Sequence, residues 1–95
     1  MYYILFYDVV ENYIEVRQPY REAHLSHIKP YAEKGDVRLA GALADPADGA
    51  VLVFKVNDKK IIEQFAENDP YVLNGAVTNW YIREWTVVLG KDFEK

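Results

Sequence analysis

The sequence predicts an α+β domain of the ferredoxin-like type, with an antiparallel sheet and two helices on one face. Three observations support this fold class. The chain has 95 residues, which suits a single domain spanning residues 1–95. Strand-like and helix-like segments follow one another in the order β-α-β-β-α-β. The sequence contains no cysteine, so neither a disulfide framework nor a thiolate zinc site can support so small a fold.

The first part of the chain is predicted to form one strand and one helix. Residues 2–10 are aromatic, β-branched and almost continuously apolar, which indicates a strand buried on both faces. The mixed segment 11–17 favours no single structure. The pattern over residues 20–34 is helical, and Gly35 suits the end of that helix. Pro30 lies within it and lacks an amide hydrogen, which predicts a kink or a restarted turn.

The middle of the chain is predicted to form two strands and then a helix. The strands cover residues 37–43 and 50–56, because both segments are rich in residues that favour strands. The loop 44–49 between them contains Asp, Pro and Gly, the residues typical of turns. Asn57 or Asp58 then caps a helix that ends near residue 68. These elements supply the central β-β connection and the second helix of the fold.

The end of the chain is predicted to form a short turn or helix, residues 69–73, and a long last strand. Gly75 separates the two. The strand covers residues 78–89, and the alternation of side chains places Trp80 and Ile82 on one face and Tyr81 and Trp85 on the other. The polar tail, residues 90–95, is expected to fray.

The face of the sheet opposite the helices is predicted to be an interface. Its candidate residues include Trp, Tyr and Val, and 15% of the chain is aromatic. A small monomer rarely exposes such a patch, and a chain of this size buries only about 60–65% of its unfolded surface. Packing the sheets of two subunits together would cover the patch and add stability. We therefore expect a homodimer formed through the sheet faces.

Charge and hydropathy exclude two classes of partner. Eleven basic residues are outnumbered by fifteen acidic ones, and a nucleic-acid-binding domain usually carries a basic stripe. No apolar run approaches the roughly 20 residues needed to cross a bilayer. The N-terminal residues resemble a first strand and lack the basic region and cleavage site of a signal peptide. We therefore expect no nucleic acid, no membrane and a cytoplasmic location.

His24 and Arg21 are the most unusual residues of the first helix. Both lie within about 40° of Ile28 on a helical projection, and Leu25 lies about 60° away on the same stripe. Polar side chains on a stripe that should face the sheet need polar partners. One interpretation is a satisfied core histidine and a structural ion pair. The other is a site in which His24 transfers a proton and Arg21 binds an anionic or phenolate oxygen.

Asp69 is the candidate carboxylate that would orient His24. A carboxylate can fix the tautomer of a histidine and increase its basicity. Asp69 also precedes Pro70, and aspartate followed by proline is typical of a helix N-cap. The two roles are only partly compatible, because they share two carboxylate oxygens.

Three further features carry weaker signals. His24 and His27 are spaced as two metal ligands could be, but a third ligand would have to be a carboxylate, and we expect neither a metal nor a cofactor. Gly41 lies between two alanines near a strand end, which indicates close approach by a ligand or helix, or a local packing need. Aromatic residues that could line a pocket, or simply pack in the core, are Tyr7, Tyr71 and Trp80.

Several short segments in order resemble the YCII-related family, and the resemblance covers nearly the whole chain. They are Arg21-Glu22-Ala23-His24-Leu25, Gly35, Leu39-Ala40-Gly41-Ala42-Leu43, Gly49-Ala50-Val51, Asp69-Pro70-Tyr71 and Gly75. The family often has a proline after the strand glycine, where this chain has Ala42, and Pro30 is also unusual for it.

The resemblance implies a ferredoxin-like domain that dimerises into a dimeric α/β barrel. It also implies that His24 and Asp69 lie together in a pocket as a catalytic dyad, with Arg21, Gly41 and Tyr71 as candidate substrate contacts. Most members have no established reaction. Relatives in the superfamily include lactone isomerases and enzymes of aromatic degradation, and one YCII-like dehydrochlorinase is known.

Three hypotheses of function follow. The first is a cofactor-independent lyase or isomerase in which His24 moves a proton and Asp69 orients it. The second is a module that binds a small molecule without converting it. The third is a structural dimer with a vestigial pocket. Substitution of His24 and the response to small ligands would distinguish them.

Overall fold

A computed structural model describes residues 1–91, so the expected fraying of residues 90–95 falls largely outside the described part. Four strands form one sheet: β1 (Tyr2–Val9), β2 (Val37–Ala42), β3 (Gly49–Lys55) and β4 (Val77–Trp85). Their order in the sheet is β2-β3-β1-β4, and each neighbouring pair is antiparallel. This is the ferredoxin-like α+β arrangement that the sequence predicts.

The helices are α1 (Tyr13–Val16), α2 (Arg21–Glu33), α3 (Lys59–Glu67) and α4 (Pro70–Leu73), with a 3₁₀ turn at Gln18–Tyr20. The segment that the sequence left unassigned therefore forms α1 and leads into α2. Helix α2 continues through Pro30, so the predicted restart of the helix does not occur. No helix within residues 1–91 is both long enough and apolar enough to cross a bilayer.

The core lies between the sheet and the helices. In β1, Tyr3, Leu5 and Tyr7 are buried, and Leu5 lies opposite Leu52 of β3 and Ile82 of β4. Of the alternate residues of β1, Tyr2, Ile4 and Phe6 are half-buried and Asp8 is exposed. The expectation that β1 is buried on both faces is therefore wrong for a single chain, because the helices cover one face of the sheet only.

Two glycines end helices where the chain turns. Gly35 has φ +88° and follows α2, and the amide of Asp36 donates to the carbonyl oxygen of Tyr31 at 2.9 Å. Gly75 has φ +79° and follows α4. Both lie in the left-handed region, which glycine occupies without a steric penalty. These turns direct the chain from α2 into β2 and from α4 into β4.

Helix α3 begins as predicted, but β4 ends earlier than predicted. Asp58 is the N-cap of α3, and its side chain accepts a hydrogen bond from the amide of Lys60 at 2.9 Å. Strand β4 ends at Trp85, four residues before Leu89, the predicted end. The reason is that Trp85 pairs with Tyr2, the first residue of β1, so the sheet offers no further partner.

Candidate active site

A cavity of about 320 Å³ lies between α1, the N-terminal half of α2 and the sheet. Its size is at the low end for a small-molecule site. Residues from six helices and strands, and Arg17 from the turn after α1, line it: Tyr7, Tyr13, Arg17, Arg21, His24, Leu25, Ile28, Ala40, Gly41, Ala42, Ala50, Leu52 and Tyr71. Because α2 spans this cavity, it has no fully buried residue, and Leu25 is 47% exposed rather than packed on the sheet as predicted.

His24 and Asp69 are in direct contact. Nδ1 of His24 lies 2.8 Å from Oδ1 of Asp69. The imidazole is 13% exposed and lines the cavity, whereas the carboxylate is completely buried. Helix α2 and the start of α4 thus bring together two residues that are 45 positions apart in the sequence.

Asp69 is held by donors from three parts of the fold. The hydroxyl of Tyr7 on β1 donates to Oδ2 at 2.6 Å. The amide of Tyr71 donates to Oδ1 at 2.9 Å, so Asp69 is also the N-cap of α4. The two roles that the sequence suggested for Asp69 are therefore both present, because Oδ1 serves the cap and the imidazole together. Each buried oxygen has a partner, as a buried carboxylate requires.

These contacts fix the tautomer that fits His24. Oδ1 of Asp69 already accepts the amide hydrogen of Tyr71, so the fitting arrangement has a hydrogen on Nδ1 of His24 that donates to the same oxygen. Nε2 then carries a lone pair. Among the described residues, no hydrogen-bond partner of Nε2 is present. An imidazole in this state can accept a proton from a ligand in the cavity.

The ring of Tyr71 stacks on the face of the His24 imidazole. The two ring centroids are 3.9 Å apart and the planes are inclined by 7°. Tyr71 is 2% exposed, and its ring meets the edge of the Tyr13 ring at 5.9 Å. Stacking and the carboxylate contact together restrict how His24 can rotate.

Burial raises the pKa of two tyrosines in the cavity. The pKa of Tyr7 is raised far above its usual range, first by burial and then by the charge of Asp69 and the hydrogen bond to it. The pKa of Tyr13 is also raised, mainly by burial, and the Arg17 guanidinium beside it acts in the opposite direction. Tyr7 therefore remains a protonated donor to Asp69 at neutral pH.

The other predicted site residues lie around the mouth of the cavity. Arg21 lines it and is exposed. Within residues 1–91 no ion pair of Arg21 is found, so the interpretation of Arg21 as a structural ion-pair member is not supported there. Gly41 lines it as well, and a Cβ at that position would meet no described atom within 4 Å. A packing need within the described chain therefore does not explain this glycine.

His27 lies outside the cavity. Its Nε2 is 2.9 Å from the carbonyl oxygen of Phe65, and its ring stacks on the Phe65 ring at 4.6 Å. It therefore joins α2 to α3. Within residues 1–91 no group of three His, Cys, Asp or Glu side chains could hold a metal ion, and the two histidines contact different partners.

Sequence patterns missed two polar residues of the cavity lining. Tyr13 and Arg17 lie in the segment that had no assignment. Their spacing of four residues would place them on one face of a helix, and this was the signal available. Of the aromatic residues considered from the sequence, Tyr7 and Tyr71 line the cavity, whereas Trp80 packs against the core.

Comparison with known proteins identifies the fold and the family. The sequence pattern of the YCII-related domain matches residues 1–86. No curated protein is significantly similar in sequence. Among solved structures, the chain is similar to 5-chloro-2-hydroxyhydroquinone dehydrochlorinase (TftG) from Burkholderia phenoliruptrix AC1100, whose structure is a complex with 2,5-dihydroxybenzoquinone. The TM-score is 0.76 and the sequence identity is 19%, and the match covers 90% of this chain and 94% of that one. The structured domain of Caenorhabditis elegans BMY-1 has a TM-score of 0.50 and 15% identity, with all of both chains covered.

Proposed function

The chain belongs to the YCII-related domain family, and from this we propose that it is a cofactor-independent enzyme that moves a proton on a small molecule. The proposed reaction class is a lyase or isomerase. One observation carries the proposal: the imidazole of His24 lies between the buried carboxylate of Asp69 and a cavity of small-molecule size. A histidine oriented by a carboxylate and open to a ligand is suited to acid–base catalysis.

In the proposed mechanism His24 acts first as a base. Its Nε2 takes a proton from a carbon next to a carbonyl. The C–H electron pair forms a C=C bond to the carbonyl carbon, and the C=O π pair moves onto the oxygen, which gives an enolate. Asp69 stabilises the imidazolium through Nδ1. Arg21, at the mouth of the cavity, pairs with the oxygen that becomes negative.

The enolate formed by this proton transfer can react in two ways, which correspond to the isomerase and lyase classes. Return of the proton from Nε2 to a different carbon isomerises the substrate. Departure of a leaving group with its electron pair from the neighbouring carbon completes an elimination. A positioned acid–base group of this kind contributes about 10²–10⁴-fold to the rate. Gly41 and Tyr71 contribute walls to the same cavity and are proposed as substrate contacts.

The fold comparison supports this class of reaction by example. TftG, which shares the fold, is named as a dehydrochlorinase of 5-chloro-2-hydroxyhydroquinone, and its structure contains 2,5-dihydroxybenzoquinone. A domain of this architecture can therefore hold a small ring compound. The two proteins are 19% identical, so the TftG compound serves as one probe among several for this chain.

The experiment that tests the proposal measures proton transfer directly. Purified protein is incubated in D₂O with a panel of cyclic ketones, cyclic enones and 5-chloro-2-hydroxyhydroquinone, and NMR follows deuterium incorporation and conversion. We expect at least one compound to react. His24→Gln should slow that reaction by at least about 100-fold, and His27→Gln is the matched control, since His27 lies outside the cavity.

Equal rates for wild type and His24→Gln would refute the catalytic role. Saturable binding of panel compounds with no exchange and no conversion would instead favour the second candidate, a module that binds a small molecule without converting it. If no compound binds at all, the vestigial-pocket hypothesis is favoured.

We also propose that two copies associate through the open face of the sheet. Half-buried and exposed apolar residues cover that face, among them Ile4, Phe6, Leu39, Tyr81 and Trp85. Phe6 and Tyr81 already stack at 4.9 Å, which gives a flat aromatic surface. A second copy would bury this surface and supply stability that a chain of 95 residues otherwise lacks.

A further inference from the structure

Two buried polar atoms in the described chain have no hydrogen-bond partner, and they belong to residues of one cavity. They are Nε of Arg17 and the hydroxyl oxygen of Tyr71. Buried polar groups almost always have partners, so each exception requires an explanation. A pair of exceptions in the walls of the same cavity points to a ligand that supplies the missing acceptor.

The local fold holds Arg17 in place without satisfying it. Its backbone amide donates to the carbonyl oxygen of Tyr13 at 2.9 Å, which ends α1. Its guanidinium carbon lies 5.1 Å from the centroid of the Tyr13 ring. A cation above an aromatic ring is stabilised and restricted in its motion. The guanidinium also interacts with the Tyr13 hydroxyl, whose pKa it lowers, and Nε of Arg17 is the donor left without an acceptor.

The charges that line the cavity are all cationic or neutral. Arg17, Arg21 and His24 line it, and no Asp or Glu is among its lining residues. The carboxylate of Asp69, which contacts the lining residues Tyr7 and His24, is committed to those two side chains and to its own helix cap. A ligand that fills the cavity therefore meets positive charge that the described protein does not neutralise, and this favours an anion.

We propose that Arg17 and the hydroxyl of Tyr71 bind the carboxylate group of a small ligand in this cavity. A guanidinium edge and a hydroxyl offer two donors, and a carboxylate has two oxygens to accept from them. This inference deepens the proposed function, on which it rests for the identity of the cavity as the substrate site, and it makes Arg17, more than the exposed Arg21, the determinant of charge selectivity.

The test compares two probes of equal shape, benzoate and benzamide, by calorimetric or NMR titration. Only benzoate is an anion. We expect wild type to bind benzoate about tenfold more tightly than benzamide, since a charge-assisted hydrogen bond is worth about that factor. Arg17→Gln should bring the ratio of the two affinities close to one. Arg17→Lys should restore part of the preference, and Tyr71→Phe should reduce it.

Two controls separate recognition from general effects. Lys59→Gln removes one positive charge from an exposed site at the start of α3, outside the cavity lining and outside the sheet face proposed for dimerisation, and should leave the ratio unchanged. Arg21→Gln should reduce the ratio less than Arg17→Gln does. Loss of folding would weaken both probes equally, so the ratio is a readout that a structural role would not move.

The result that overturns the inference is an affinity ratio near one in wild type, or a ratio that Arg17→Gln leaves unchanged. A larger effect of Arg21→Gln than of Arg17→Gln would also overturn it. These results do not bear on the proton-transfer measurement with His24→Gln. Conversely, if no proton transfer is found, the preference for benzoate over benzamide can still be measured.

Discussion

The imidazole of His24 and the phenol ring of Tyr71 are stacked with their centroids 3.9 Å apart and their planes 7° from parallel. Asp69 contacts the same imidazole at Nδ1. The imidazole is thus fixed by stacking on one face and by the contact at Nδ1, and Nε2 is the nitrogen available to a ligand in the cavity. Preorganisation of this kind lowers the cost of orienting a base at the moment of reaction.

Replacing Asp69 should separate its two roles. Asp69→Asn keeps an oxygen that can cap α4, so we expect a loss of only about 1 kcal/mol in the free energy of unfolding. Asp69→Ala leaves the buried Tyr7 hydroxyl and the Tyr71 amide without an acceptor, and should cost about 2–4 kcal/mol. Urea unfolding measures both.

The ¹⁵N shifts of the imidazole provide the second readout for Asp69. In wild type we expect His24 to carry its hydrogen on Nδ1 and to leave Nε2 unprotonated. Asp69→Asn should reduce that preference, because an amide group can also present a donor to Nδ1. An unchanged ¹⁵N pattern in Asp69→Asn would contradict the assigned tautomer.

Alkaline unfolding should report on Tyr7. Its pKa is raised in the folded protein by burial and by Asp69, so above about pH 10 the phenol ionises in the unfolded chain but not in the folded one. Unfolding then releases a proton, and stability falls by about 1.4 kcal/mol per pH unit on account of Tyr7. The contribution is fully present below pH 10 and is lost as the pH rises.

The variant Tyr7→Phe tests this pH dependence. Its stability should decline less steeply than that of wild type above pH 10, and Tyr7→Phe combined with Tyr13→Phe should decline less steeply still, because the pKa of Tyr13 is also raised. Urea midpoints measured between pH 9 and 11.5 give the slopes. Parallel curves for wild type and Tyr7→Phe would show that the phenol is not held as described.

His27 should matter for stability and not for the site. Its Nε2 donates to the carbonyl oxygen of Phe65 and its ring stacks on that residue. His27→Ala leaves this carbonyl unpaired and removes the stacking, which should cost about 1–3 kcal/mol. The imidazole signals of His24 should stay in place. If His27→Ala shifts the His24 signals as strongly as Asp69→Asn does, the two histidines are coupled. That result would contradict the assignment of His27 to a purely structural role.

The sheet face should carry the dimer contact. Sedimentation of wild type at micromolar concentration should show a dimer, and Tyr81→Asp should shift it to monomer, since Tyr81 is 44% exposed on the open face. Leu73→Asp is the matched control, because Leu73 is 66% exposed on α4, in the helical layer. A single monomeric species for wild type would refute the homodimer.

The fold was largely predictable because its signals are local. Strand-forming segments, the Asp58 cap and the Gly35 turn each act within a few residues, and all are found. The end of β4 was not predictable from residues 86–89, which are as suited to a strand as the residues before them. Pairing decides it: Tyr2 begins β1 and leaves nothing beyond Trp85 to pair with.

The candidate site was predictable only in part. The position of His24 on a stripe that should be apolar indicated an unusual histidine, and the resemblance paired it with Asp69. The Tyr7 hydroxyl could not be predicted as the donor to Oδ2 of Asp69, because 62 residues separate the two and they meet only where the start of α4 packs over β1. Arg17 was missed since no short-range pattern assigned α1.

The sharing of Oδ1 of Asp69 links a backbone hydrogen to the chemistry of the cavity. The Tyr71 amide and the His24 imidazole contact the same oxygen atom. A movement of this carboxylate away from His24 also removes the hydrogen-bond acceptor of the Tyr71 amide. The rate of hydrogen–deuterium exchange at the Tyr71 amide therefore reports whether Asp69 and His24 are in contact. This rate can be measured before any substrate is known.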